Sequence, residues 1–177
     1  MAADQTIETS PKFAQRLERT VSVALRTLLG LGLLVLVALN VVNAVARATG
    51  IVVIGVDEML VFGMIWMVML GMLLVTAERS HIALELLSAR TGPQMTLVLS
   101  ILTNAVTAAA CAYTALQSFY FVQRITALGQ TSMALGMPMI IPHSALLVGF
   151  GGTALIALIL LVRDARTLAA AAQQAAR

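Results

Sequence analysis

The sequence predicts an all-α integral membrane protein with four transmembrane helices. Hydrophobic residues make up 60% of the 177 residues and charged residues only 11%, against about 25% charged in soluble domains. Four apolar stretches are each long enough for a helix rising about 1.5 Å per residue to cross a hydrocarbon core about 30 Å thick. The stretches are continuous and not alternating, and in lipid only helices and closed barrels satisfy every backbone group. We read residues 1–177 as a single four-helix membrane domain.

The first predicted element is an amphipathic helix over about residues 10–22. Phe13, Leu17 and Val21 fall on one face, with Lys12, Arg16 and Arg19 elsewhere. Such a helix can lie in the headgroup region; the plainer reading is a flexible basic tail. The first span covers about 27–46. It reads as an uncleaved anchor, because the preceding residues include Asp4, Glu8 and Glu18, whereas secretory n-regions are short and basic.

The second span, about 59–77, carries no charge and is crowded with methionines: Met59, Met64, Met67, Met69 and Met72. They read as adaptable packing, with copper binding the alternative. Asp57 and Glu58 open this span, where the helix macrodipole favours negative charge. A second amphipathic helix is predicted over about 80–90, with His81, Glu85 and Ser88 on one face and Ile82, Leu86 and Ala89 on another. It stops at Gly92-Pro93 and reads as an elbow lying along the interface.

Between Arg90 and Arg124 lie 33 residues without a charge. That is too few for two crossings, so the third span is one long or tilted helix near 96–120. The fourth covers about 144–162 and carries a small face made by Gly149, Gly151, Gly152, Thr153 and Ala157, suited to close helix approach. The tail from Ala169 to Arg177 is alanine-rich and reads as a fraying helix.

Basic residues set the orientation. Lys12, Arg16, Arg19 and Arg26 precede the first span, Arg79 and Arg90 join the second to the third, and Arg163, Arg166 and Arg177 follow the fourth. These nine lie on one side, against Arg47 and Arg124 on the other. Both termini and the middle loop are therefore expected in the cytoplasm.

The inventory of chemistry is thin. There is no glycine-rich phosphate loop, no converging Ser/His/Asp set and no feature that suggests a nucleic-acid partner. Cys111 is the sole cysteine, which excludes an internal disulfide and a cysteine-rich metal site. His81 and His143 fall at or beyond helix ends, away from the mid-membrane position that axial haem ligands need. No catalytic, cofactor-binding or metal-binding residue is assigned. The second, third and fourth predicted spans hold no ionisable residue, which counts against independent ion-coupled transport. Their polar groups, with those of the first span, include Asn40, Asn43, Thr103, Asn104, Thr107 and Gln117. Interhelical hydrogen bonding is the favoured reading, and substrate contact the alternative.

Two blocks of residues resemble a known family. Asp57-Glu58, Trp66, Leu70-Gly71, Arg79, His81-Ile82 and Glu85-Leu86-Leu87 form the first. Gly129-Gln130-Thr131-Ser132-Met133-Ala134-Leu135-Gly136-Met137-Pro138-Met139 forms the second. Both are similar to segments of the small membrane subunit of TRAP transporters (tripartite ATP-independent periplasmic transporters, DctQ type). Met133 departs from the pattern, standing where proline is common. The resemblance implies a scaffold subunit beside a larger, DctM-type membrane subunit that carries an organic acid inward, coupled to an ion gradient, with a DctP-type periplasmic binding protein. It marks Asp57, Glu58, Trp66, Gly71, Arg79, His81, Glu85, Gln130 and Pro138 as motif or interface residues. Arg19, Arg79 and Arg90 are candidates for phospholipid headgroup contact. The small subunit of a tripartite tricarboxylate transporter, or a membrane haem or enzyme subunit, are the alternatives.

Overall fold

The computed structural model describes residues 9–78 and 92–175. Four helices follow one another: α1 (Thr9–Ala48), α2 (Val56–Ala77), α3 (Pro93–Ala127) and α4 (Ile140–Ala175). Each contains a stretch long and apolar enough to cross a membrane: Thr20–Ala48, Val56–Ala77, Met95–Ala127 and Ile140–Ala171. With 22 residues, α2 is about 33 Å long and matches the hydrocarbon thickness. The other three have 40, 35 and 36 residues and overshoot it by about 20 Å or more.

Two expectations change here. The amphipathic stretch at 10–22 is not a separate element, because α1 continues through it from Thr9 to Ala48. No glycine or proline stands between Pro11 and Gly30 to break the helix, and a proline in the first turn is tolerated. The fourth helix also runs past the predicted end at 162, so Asp164 falls inside it and inside its apolar segment. The expectation of no ionisable residue in the second, third and fourth helices is corrected accordingly, since Asp57 and Glu58 also fall inside the second apolar segment and Arg124 inside the third. The predicted elbow at 80–90, with Arg79, His81, Glu85 and Arg90, lies outside the described residues.

Among the described residues the helices form a row and not a closed bundle. α1 touches only α2, α2 touches α1 and α4, and α3 touches only α4. The spatial order is thus α1–α2–α4–α3. Contacts run in opposite directions along α1 and α2, from Arg26 with Glu78 at one end to Asn43 with Asp57 at the other. They do the same along α3 and α4, from Ser100 with Asp164 to Phe121 with His143. α2 and α4 run parallel, and Trp66 Nε1 donates to the carbonyl of Ile141 (3.2 Å). The far end of the molecule therefore carries residues 49–55 and 128–139, and the opposite, terminal end carries the start of α1 and the end of α4.

The joint between α2 and α4 depends on small residues. A Cβ added at Gly149 would sit 2.7 Å from Met69 Sδ and 2.8 Å from Met69 Cβ. Ala145 and Ala157 are fully buried, and Thr153 is 1% exposed. Lipid is as apolar as leucine, so contact between membrane helices comes from close van der Waals approach and hydrogen bonds. The small face on α4 provides the first of these, and a methionine of α2 fills the space it leaves.

The seam between α3 and α4 adds the second. Ser100 Oγ donates to Asp164 Oδ2 at 2.6 Å, and Asn104 Nδ2 reaches the same oxygen at 3.4 Å. Asp164 is 4% exposed. A buried carboxylate without donors is strongly disfavoured, and these side chains of α3 solvate it.

Replacing Gly149 with valine is expected to force the α2–α4 joint apart, costing about 1–3 kcal/mol as overpacking does. Gly30→Ala is the contrast, because a Cβ there meets nothing within 4 Å. Thermal unfolding of the detergent-solubilised protein should show a clear drop for the first variant and none for the second.

Candidate functional site at the far end

The polar residues of α2 gather at its start. Gly55 precedes the helix with φ +91° and no side-chain cap. Glycine reaches that conformation without strain, and here space also demands it: a Cβ would lie 2.5 Å from Leu135 Cδ2. The chain thus turns into α2 directly beneath the 128–139 loop.

Asp57 and Glu58 follow in the first turn. The macrodipole accounts for negative charge there, but neither side chain serves merely as a cap. Asp57 faces α1, where Asn43 Nδ2 donates to its Oδ1 at 2.9 Å and Arg47 pairs with Oδ2. Glu58 faces the loop. Its Oε1 accepts the backbone N–H of Ala134 and its Oε2 that of Leu135, both at 3.0 Å. Adjacent carboxylates therefore tie α2 in two directions, one to the end of α1 and one to the segment that leads into α4.

The loop is built to present those two N–H groups. Thr131 and Pro138 pair as an antiparallel bridge. The N–H of Ser132 donates to the Met137 carbonyl (2.8 Å), and that of Met139 to the Gln130 carbonyl (3.0 Å). Ser132 Oγ accepts from the N–H of Met137 (3.2 Å). Gly129 and Gly136 turn the chain at φ +61° and +66°. The closed tip between Ser132 and Met137 lays Ala134 and Leu135 on Glu58, and Met133 projects fully exposed.

The predicted motif residues thus separate into groups. Asp57, Glu58, Gln130 and Pro138 meet at the far end, and Trp66 ties α2 to the start of α4 just below them. Gly71 lies apart, lining a largely apolar groove between α1 and α2 together with Leu33, Asn40, Met64 and Met67. Arg79, His81, Glu85 and Arg90 lie outside the described residues, as does the side chain of Arg19. The reading missed three partnerships: Arg47 with Asp57, Arg26 with Glu78, and Ser100–Asn104 with Asp164. A signal for two of them was present. Asn43 and Arg47, and Ser100 and Asn104, are each spaced i, i+4, which places both members on one helix face.

Among the described residues no group of three or more histidine, cysteine, aspartate or glutamate side chains could hold a metal ion. The ordered polar contacts instead join helices and brace a loop. This is a multi-pass membrane protein whose polar groups hold its own elements in position. Residues 33–167 match the family described as tripartite ATP-independent periplasmic transporters, DctQ component. The chain belongs to that family, and it is the small membrane subunit of a TRAP transporter, a multi-pass protein of the inner membrane. Its family implies two partners, a large membrane subunit and a periplasmic binding protein. A comparison with curated proteins returned no match.

Replacing Glu58 with alanine removes both acceptors from the loop. Hydrogen bonds to charged groups contribute about 1.5–3 kcal/mol. Hydrogen–deuterium exchange at Ala134 and Leu135 should therefore quicken by about tenfold or more. Asp57→Ala should leave those two amides protected and loosen the far end of α1 instead.

Proposed function

We propose that this chain is the static scaffold of an ion-gradient-driven uptake system for an organic acid. Its larger partner carries the substrate while this subunit stays level in the membrane. The observation that carries this reading is the one-deep row of helices. A row has two broad apolar faces, exposed here along its whole width at Leu34, Val42, Val106 and Leu155. Contiguous apolar surface of this extent belongs against lipid or a partner. A flat brace can bury one face on a larger subunit and offer the other to the bilayer, widening the immobile part of the complex.

Three features support the rest of the assignment. The nine-to-two split of basic residues favours cytoplasmic termini, which makes the far end periplasmic. There the rigid tip with Met133 at its apex is suited to touch the binding protein, since Glu58 and the Thr131–Pro138 bridge hold it in one shape. At the cytoplasmic end, Arg19, Arg79 and Arg90 are placed by sequence to meet phospholipid phosphates, and His81 and Glu85, one helical turn apart, can pair within the elbow.

Affinity purification of the tagged chain in mild detergent should bring down the large subunit. Met133→Asp should leave that co-purification intact while raising the concentration of loaded binding protein needed for half-maximal uptake by about tenfold, as loss of an apolar contact at an interface can. Uptake by this chain alone in liposomes would sink the scaffold reading. If Arg79→Ala with His81→Ala changes neither assembly nor uptake, the elbow has no part in it.

A further inference from the structure

Of the eleven Lys and Arg residues, only Arg47 and Arg124 lie at the far end. Arg47 is neutralised by Asp57. Arg124 has no ion pair among the described residues, and its side chain lines a groove of about 490 Å³ between the far-end turns of α3 and α4. The macrodipole accounts for a cation in the last turn of α3. It does not account for what else faces the same groove. His143 enters from the first turn of α4, its ring held edge-on against Phe121 with centroids 4.8 Å apart. Gln117 and Ser118 lie about two turns further along α3, toward the membrane interior.

These groups follow a vertical order. Arg124 and His143 supply nitrogen donors three residues from the ends of their helices, at the level where headgroups lie. Tyr120, whose ring also lines the groove, suits that same boundary. Below them Gln117 and Ser118 supply an amide and a hydroxyl, with Leu146 beside them, and Thr114 one turn deeper turns its hydroxyl to the Ala110 carbonyl. Cation above neutral donors matches the order of phosphate and glycerol ester in a phospholipid. The lining also runs from Arg124 down α3 to Thr114, about 15 Å along the helix, a depth that an acyl-bearing lipid fills and a small soluble anion does not need.

We propose that this groove is a specific site for a phospholipid of the leaflet at the far end, with Arg124 and His143 binding its phosphate and Gln117 and Ser118 its ester region. The leaflet is the outer one in the orientation proposed above; occupancy itself does not depend on that orientation. A lipid held here fills the step between α3 and α4 beside the 128–139 loop and steadies the α4 side of the row.

The test uses the full chain in vesicles of phosphatidylethanolamine and phosphatidylglycerol at about 3:1, with Tyr120 replaced by the photo-crosslinker benzoylphenylalanine. Irradiation should give an adduct of phospholipid mass, and Arg124→Gln should reduce its yield about tenfold, as loss of a charge-assisted contact does. His143→Gln should reduce it as well, and Arg124→Lys should keep most of it. Wild-type yield in the Arg124→Gln and His143→Gln variants would overturn the proposal. So would suppression of the adduct by millimolar inorganic phosphate, which marks a small-anion site. In the reconstituted transporter, an adduct to the large subunit or the binding protein in place of lipid would overturn it in favour of a protein contact. The scaffold reading is judged separately, by co-purification and uptake.

Discussion

Helices α2 and α4 form the only helix–helix contact between the two halves of the described structure. Without it the chain would be two independent hairpins, α1 with α2 and α3 with α4. No hydrophobic drive brings membrane helices together, so the joint rests on geometry and on a few hydrogen bonds. Gly149 admits Met69, Gly152 admits Leu73, and Trp66 reaches the Ile141 carbonyl. Glu58 completes the joint from above by holding the loop that feeds α4. Every broader property of the molecule, including the row itself, depends on this one close approach.

The acidic residues follow a common rule. Asp57, Glu58 and Glu78 stand at helix ends and Asp164 inside α4, and each carboxylate meets donors from a different segment. A charge in or near lipid is disfavoured unless donors surround it. Placing each acid where two segments converge satisfies the charge and fixes the spacing of those segments at once. The exposed pair of Arg26 and Glu78 contributes little on its own, whereas the buried cluster around Asp164 ties α3 to α4 firmly.

The elements were legible because the apolar runs are long and bounded by charge or by Gly-Pro. The small face on α4 was legible as a packing surface and the methionines of α2 as adaptable packing, but not that the one meets the other. The order of the helices was not. An apolar stretch states that it enters lipid but not which neighbour it meets, and a closed bundle and a row have the same hydropathy. Helix ends were also hidden, because α4 carries its apolar segment past Arg163 and Asp164 with the carboxylate satisfied from α3. Asp57 and Glu58 read as first-turn acids on local grounds. Their long-range partners, Asn43 with Arg47 and the amides of Ala134 with Leu135, follow only from the tertiary structure.

The α2–α4 joint also imposes an order on synthesis. Leu73 and Gly152, which meet across it, are far apart in the chain. At about 5–20 residues per second, roughly 4–16 s separate the emergence of one side of the joint from the other. The α1–α2 hairpin therefore enters the bilayer with its partner face uncovered, and the row closes only when its last helix arrives. A chain cut short before that helix would leave the α1–α2 hairpin with its α4-facing surface uncovered, so the row exists only once α4 is made.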